Sequence, residues 1–246
     1  MRQVLSAGIM LTILAGAAAP LQANDAAGIL KRMDEVLFAG QDQKSLITME
    51  LTDRHGNQRT RQARVWQKGD DKRLFRFTAP AAEAGIAFLS LPDEVMYIYM
   101  PAYGRERRIA SHVRNQRFAG TDFTYEDLEA SRYSERFSAE LTGEDEETYQ
   151  LSLTPLPGVR SEYSRIIARI NKTHGYPETM ESYDRGGQKH KIARYAFEHS
   201  GDYWYTAEIE MTDLKRDHKT RMVFHEVVFD SGIDNEVFTV RNLTRY

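Results

Sequence analysis

The stretch YWYTAEIEMTD, residues 203–213, alternates apolar and polar side chains along its length. On one face, an extended chain would carry Tyr203, Tyr205, Ala207, Ile209 and Met211. On the other, it would carry Trp204, Thr206, Glu208 and Glu210. A period of two is typical of a strand with one buried and one solvated face. The stretch therefore predicts a strand of an antiparallel sheet over residues 202–213.

The same pattern recurs along most of the chain. In the N-terminal half of the chain, strands are predicted at 47–52, 63–66, 74–78, 86–91 and 95–100. Elsewhere they are predicted at 133–142, 147–154, 163–171, 177–184, 189–199, 219–229 and 236–240. Turn signals such as His55-Gly56-Asn57 and Ser200-Gly201-Asp202 separate them. Regularly spaced strands joined by short turns predict an antiparallel meander.

Two segments depart from this pattern. Over residues 25–39, apolar side chains recur at helical spacing and predict an amphipathic helix. Thr124 followed by Asp127 is a helix-start signal, which predicts two helical turns over residues 125–131. With so few helical residues, the strands must form a strongly curved sheet or a barrel. The residues alone leave open whether its interior is filled or keeps a cavity.

The N-terminus predicts export. Arg2 precedes an apolar run over 4–14 and then small residues, which is the order of a secretory signal peptide. We predict a signal peptide at 1–23, cleaved after Ala23, and one domain at 24–246. The chain has no cysteine, which excludes a lipid-modified N-terminus and disulfides. Its net charge of −3 does not favour nucleic-acid binding.

Catalytic and metal-binding motifs were not found. There is no Gly-x-Ser-x-Gly sequence, and His225-Glu226 lacks the second histidine of a zinc-protease motif because Phe229 takes its position. The acidic run 144–147 lacks the spacing of a calcium loop and is interpreted as a solvated turn. Asp122, Glu126 and Asp127 are interpreted as capping and ion-pairing residues. We therefore predict no enzyme activity, no metal and no cofactor.

A resemblance to a known family rests on RRIA at 107–110 and, above all, FAGTDFTYEDL at 118–128. Together with the tyrosine-rich strand at 95–101, the Tyr203-Trp204-Tyr205 strand and the ending at 234–239, these residues resemble the outer membrane lipoprotein-sorting protein family, relatives of the LolA/LolB-like lipoprotein carriers. The resemblance implies a mainly β fold. This fold is an unclosed (half) antiparallel β-barrel of about eleven strands, with an N-terminal helix and a short helical lid over an apolar cavity.

The resemblance and the strand faces together nominate residues for that cavity and its lid. They are Ile29, Leu30, Met33, Leu37, Met49, Phe75, Phe77, Met96, Ile98, Met100, Phe118, Phe123, Tyr125, Leu128, Tyr205, Ile209 and Met211. A basic cluster is nominated for contact with anionic headgroups or a protein partner, the alternative being a solvated strand edge and loop. Its candidates are Arg105, Arg107, Arg108 and Arg117.

The function expected on these grounds is that of a periplasmic carrier or chaperone for lipid or lipidated protein. The cargo's acyl chains would lie in the cavity, and an inner-membrane transporter is a possible partner. We expect a monomer that is not lipid-anchored and binds no nucleic acid. One alternative is a non-catalytic accessory module that binds an inner-membrane exporter or an envelope-stress partner. A hydrolase is a further alternative, disfavoured because its motifs are missing.

Overall fold

A computed structural model describes residues 21–245 of the protein, with side chains from Ala26 onward. Residues 1–20 of the predicted signal peptide lie outside the described residues. The predicted N-terminal helix is confirmed as α1 (Leu21–Leu37). No helix among residues 21–245 combines the length and apolar character needed to cross a membrane.

The remainder of the described chain is mainly β, as predicted, with every strand pairing antiparallel. In chain order the strands are β1 (Asp42–Thr52), β2 (Gln58–Lys68), β3 (Lys72–Ala79), β4 (Ala87–Leu91), β5 (Val95–Met100), β6 (Arg105–Arg108), β7 (Phe137–Glu144), β8 (Thr148–Pro155), β9 (Tyr163–Asn171), β10 (Pro177–Asp184), β11 (Lys189–Ser200), β12 (Tyr203–Asp213) and β13 (His218–Phe229). They form one sheet of thirteen strands rather than about eleven.

The strand order leaves the sheet unclosed. It runs β6-β5-β4-β3-β2-β1-β13-β12-β11-β10-β9-β8-β7, so strands consecutive in the chain pair with each other except β6 and β7, and β1 also pairs with β13. The two edge strands, β6 and β7, are consecutive in the chain. Residues 109–136, here called the crossover segment, join these edges and lie against the concave face with α1.

The main core fills the space between the concave face, α1 and the crossover segment. Ile29, Leu30 and Met33 of α1 are buried there. Phe118 of the crossover segment is fully buried and contacts the rings of Phe75 and Phe77 at centroid distances of 5.3 and 5.4 Å. Each such ring removes a large apolar area from water, which ties the crossover segment to β3.

Three local predictions are corrected. Residues 236–240 are not a strand: a 3-10 turn (Asn235–Phe238) and the short helix α3 (Val240–Leu243) stand there, and Asp234 accepts the N–H of Glu236 at 2.8 Å. The predicted strand at 133–142 begins only at residue 137. Residues 133–136 form the short helix α2 (Tyr133–Arg136) because Asp34 of α1 accepts the N–H groups of Tyr133 and Ser134 at 2.8 and 2.9 Å.

The third correction concerns residues 125–131, which form a turn rather than two helical turns. The predicted start signal is present, since Thr124 N donates to Asp127 at 2.7 Å and Asp127 N donates to the Thr124 hydroxyl at 3.2 Å. Only one turn follows, over residues 125–128: Leu128 N donates to the Thr124 backbone oxygen at 3.3 Å, and the Asp127 side chain pairs with Lys191 of β11. Short helical elements of the crossover segment lie on either side, at Ser111–Val113, Phe118–Gly120 and α2.

A second core covers the convex face of β3, β4 and β5. Leu74, Leu89 and Tyr99 are buried there beneath Phe238 and Leu243 of residues 230–245, here called the C-terminal segment. Leu243→Ala should lower the free energy of unfolding by about 2–5 kcal/mol, because it removes a fully buried side chain. Chemical denaturation tests this. Val228→Ala, at a 42% exposed position of β13, is the control and should change the free energy of unfolding by no more than about 0.5 kcal/mol.

Asp42, at the start of β1, holds the C-terminal segment in place. It accepts the N–H groups of Ser231 and Ile233, each at 2.8 Å. Burial alone would raise the pKa of Asp42, but these hydrogen bonds outweigh it and lower the pKa below its usual value of 3.8. The charged form is therefore favoured in the folded state.

A pH dependence of stability follows from this lowered pKa. The contribution of Asp42 is present above about pH 4 and is lost as the pH falls through the lowered folded pKa. Asp42→Asn should therefore cost about 1–2 kcal/mol at neutral pH and less at acidic pH. Urea denaturation over a pH series tests this against Asp202→Asn in an exposed turn. A constant difference across the series would contradict the assignment.

Candidate functional site

A cavity of about 190 Å³ lies on the concave side of the sheet. Its walls come from the C-terminal end of α1, from β1 to β3, from β9, β11, β12 and β13, and from the crossover segment. Its apolar lining includes Ile47, Val65, Phe75, Ile166, Ile209, Met222 and Phe224. The cavity lies beside the Phe118 ring cluster, where the core is filled.

The structure divides the residues nominated from the sequence into three groups. Six line the cavity: Leu37, Phe75, Phe123, Leu128, Tyr205 and Ile209. Eight are buried in the core outside the lining: Ile29, Leu30, Met33, Met49, Phe77, Met96, Phe118 and Met211. Ile98 and Tyr125 are partly buried and pack against that core, and Met100 is half-buried at the end of β5.

Many of the residues that line the cavity were not predicted from the sequence. Val65 pairs in register with Phe75 and shares its face, so strand alternation alone could have found it. The polar residues of the wall follow no sequence pattern that would have identified them as lining residues. It consists of Gln43, Ser45, Gln67, Arg73, Glu126, Asp127, Glu129, Ser131 and Arg136.

The polar and apolar parts of the wall follow the register of β1, β2 and β3. Gln43, Gln67 and Arg73 are neighbours across the three strands and form a polar row. The next inward-facing row along the strands is Ser45, Val65 and Phe75, and the one after that is Ile47, Ala63 and Phe77. Since inward-facing positions recur every two residues, the wall changes from polar to apolar within about 7 Å.

A candidate mouth lies beside Trp204. Val36, Phe38 and Trp204 line both the cavity and a second depression on the surface. Further aromatic rings surround Trp204: its ring centroid lies 4.5 Å from His174 and 5.4 Å from Tyr176. An aromatic rim offers apolar area to a ligand while tolerating water.

A buried ion pair fixes the crossover segment beside the cavity. Lys191 Nζ, on β11, lies 2.8 Å from Asp127 Oδ2 and 3.1 Å from the Tyr163 hydroxyl oxygen. The Tyr163 hydroxyl donates to Asp127 at 2.6 Å. Burial alone would raise the pKa of Asp127, but Lys191 and these hydrogen bonds outweigh it and lower the pKa.

Three more acidic residues of the crossover segment are also paired. Glu126 lies 2.7 Å from Arg136, and Glu129 pairs with both Arg114 and Arg136. Asp122, which is fully buried, accepts from the Thr220 hydroxyl at 2.7 Å and pairs with Arg216 at 3.0 Å. Burial raises the pKa of Asp122 and of Glu129. Asp122 and Asp127 therefore attach the crossover segment to the sheet, whereas Glu126 pairs within the segment.

The nominated basic residues lie apart from the cavity. Arg105, Arg107 and Arg108 belong to the edge strand β6, whose side chains are all exposed, and Arg117 is exposed on the crossover segment. Arg107 stacks on Tyr103, with its guanidinium carbon 4.9 Å from the ring centroid. Arg114, close by in sequence, is instead buried and paired with Glu94 and Glu129.

A family model described only as an uncharacterized protein matches residues 69–245. The chain belongs to this family. No curated protein matches the chain.

Solved structures show how widely the family's fold is shared. An outer membrane lipoprotein-sorting protein domain from Vibrio parahaemolyticus is 24% identical, with a TM-score of 0.84 over 91% of this chain and 100% of that one. A DUF1329 family protein from Desulfovibrio piger is 22% identical, with a TM-score of 0.85 over 90% and 99%. A LolA superfamily protein from Nitrosomonas europaea is 20% identical, with a TM-score of 0.73 over 89% and 98%. The predicted resemblance is thus confirmed as a likeness of fold.

Proposed function

We propose that this protein is a periplasmic carrier that shelters an acyl chain of a lipid or a lipidated protein in the cavity. The observation that carries the proposal is a cavity with a largely apolar lining, between the concave face of an unclosed sheet and a cover made of α1 and the crossover segment. The likeness of fold to lipoprotein-sorting and LolA superfamily proteins supports it. The carrier needs no catalytic residue.

The energetics of an acyl chain suit such a site. Each buried methylene contributes about 0.8 kcal/mol, so a sixteen-carbon chain is stabilised by on the order of 12 kcal/mol when it leaves water. A protein that moves such a chain through an aqueous compartment must offer comparable apolar shelter. Leu37 and Phe123 from the cover and Ile209 and Phe224 from the sheet supply part of it.

The cavity volume supports a carrier whose cover moves when ligand enters. A dry apolar cavity of about 150 Å³ accommodates a benzene ring, so about 190 Å³ suits an aliphatic segment of similar size and not an entire long chain. Val36 and Leu37, in the last turn of α1, are only half-buried. We propose that this end of α1 moves outward beside Trp204 when a full chain enters.

The exposed basic residues give the carrier a place to meet a membrane or a partner. We propose that Arg105, Arg107, Arg108 and Arg117 contact anionic headgroups or an acidic partner during loading or release, since surface cations near a membrane are attracted to anionic lipid. We propose a monomer in solution that receives cargo from an inner-membrane transporter.

Native mass spectrometry tests the proposed function. Protein purified from its periplasmic fraction without detergent should carry co-purified lipid, seen as a mass increment that is lost on extraction with organic solvent. The extracted protein should then bind a fluorescent fatty-acyl probe saturably. Protein that is reproducibly empty and ignores the probe would refute the carrier function.

A further inference from the structure

Arg73, on β3, stands out among the charged groups of the cavity wall because all of its hydrogen-bond partners are neutral groups. Its guanidinium donates to Gln67 Oε1 from Nε at 3.1 Å and from Nη2 at 2.5 Å. Its Nη1 donates to the backbone oxygens of Leu128 and Glu129 at 3.2 and 3.5 Å. A guanidinium has five N–H hydrogens, so these four bonds leave one on Nη2.

The acidic residues of the same wall already have cationic partners. Glu126 pairs with Arg136, Glu129 with Arg136 and Arg114, and Asp127 with Lys191. Within residues 26–245, no carboxylate forms a salt bridge with Arg73. Burial lowers the pKa of Arg73 to about 10, so the group remains a cation at neutral pH. Arg73 is half-buried, and the Glu129 carboxylate, which favours the charged guanidinium, is already paired with Arg114 and Arg136, so an anion that entered the cavity would give Arg73 a counter-ion of its own.

The position of Arg73 determines how an amphiphilic anion would be oriented in the cavity. Arg73 belongs to the polar row with Gln43 and Gln67, and the next row along the strands contains Val65 and Phe75. A ligand with its head at Arg73 would lay its tail directly against these apolar side chains.

We propose that the cavity is a subsite for an amphiphile with an acidic head, whose anionic oxygens bind Arg73 while its aliphatic tail lies against Val65, Phe75 and Ile209. This inference rests on the proposed function and deepens it by naming the ligand class. The head is a carboxylate or a phosphate monoester, the chemistry that an arginine fork recognises.

Competition binding with four ligands of equal chain length tests the proposal. Palmitate and hexadecyl phosphate carry acidic heads, whereas hexadecanol and methyl palmitate are neutral, and each displaces a fluorescent fatty-acyl probe from delipidated protein. At least one acid should bind about tenfold or more tightly than hexadecanol, because only an anionic head forms charge-assisted hydrogen bonds with the Arg73 guanidinium. Whether palmitate or hexadecyl phosphate binds more tightly tells whether the site prefers a carboxylate or a phosphate head.

Variants assign the preference to Arg73. Arg73→Met should bind acids and neutral ligands within about threefold of each other, with affinity for the neutral ligands kept. Arg73→Lys retains the charge and should keep part of the preference, which controls for a loss of folding. Arg64→Met, on the exposed convex face of β2, should behave as the wild type.

The outcomes separate the inference from the function on which it rests. Equal binding of acids and alcohol by the wild type, or a preference that survives in Arg73→Met, would overturn the acidic-head assignment while an apolar-ligand carrier stands. A protein that binds none of the four ligands would overturn the carrier function and the inference with it.

Discussion

Replacing Lys191 with methionine is expected to lower the free energy of unfolding by about 3–5 kcal/mol. Lys191 is only 1% exposed, and its ammonium group neutralises Asp127 at 2.8 Å. Methionine would fill a similar volume and leave the Asp127 carboxylate buried without a counter-charge. The penalty is that of an uncompensated charge in a medium of low dielectric constant.

Urea denaturation of matched variants measures this effect. Lys215→Met breaks the pair with Asp184, in which the lysine side chain is 48% exposed, and should cost no more than about 1 kcal/mol. The double variant Lys191→Met with Asp127→Leu removes both charges and should recover most of the loss. A loss below about 1 kcal/mol for Lys191→Met alone would show that the pair does not hold the crossover segment in place.

The second large effect is expected at Ile209, which is half-buried on β12 and lines the cavity. A tryptophan at this position would extend into the empty space and occupy volume that an acyl tail needs. Ile209→Trp should weaken palmitate binding at least about tenfold, equivalent to about 1.4 kcal/mol. Its free energy of unfolding should fall by less than the 1–3 kcal/mol typical of overpacking a filled core.

Retention of radiolabelled palmitate by the delipidated protein is the measurement. Ala196→Trp, on the exposed face of the neighbouring strand β11, introduces the same side chain outside the cavity and should retain palmitate as the wild type does. If Ile209→Trp folds normally and keeps its palmitate, the ligand does not occupy this cavity.

Strand alternation predicted the fold well where one face of a strand is apolar and the other polar. Residues 203–213 form β12 throughout, and the alternating residues near 47 and 63 lie on β1 and β2. The short edge strand β6 was not predicted because all four of its residues are charged, and it forms through backbone pairing with β5. The C-terminal segment was misassigned because Phe238 and Leu243 are buried through packing on the convex face, which no local period encodes.

The candidate site was predictable only in part, for a related reason. Residues such as Phe75 and Ile209 were found because they belong to regular strands. Met33, Met49 and Met96 share the same apolar character but are fully buried in the filled core, and only the three-dimensional packing separates the two groups. Arg73 has no distinguishing local pattern, since its neutral hydrogen-bond partners are Gln67 and backbone oxygens of a crossover segment about 55 residues away in sequence.

The most direct test of a ligand in the cavity uses the chain's two tryptophans. Trp204 stands at the candidate mouth, whereas Trp66 packs on the convex face with the second core. Titrating delipidated Trp66→Phe protein with a dibrominated stearate should quench the fluorescence of Trp204 saturably, because bromine quenches on contact. The Trp204→Phe variant, which retains Trp66, should be quenched little. Equal quenching of both variants, or none that saturates, would contradict the account.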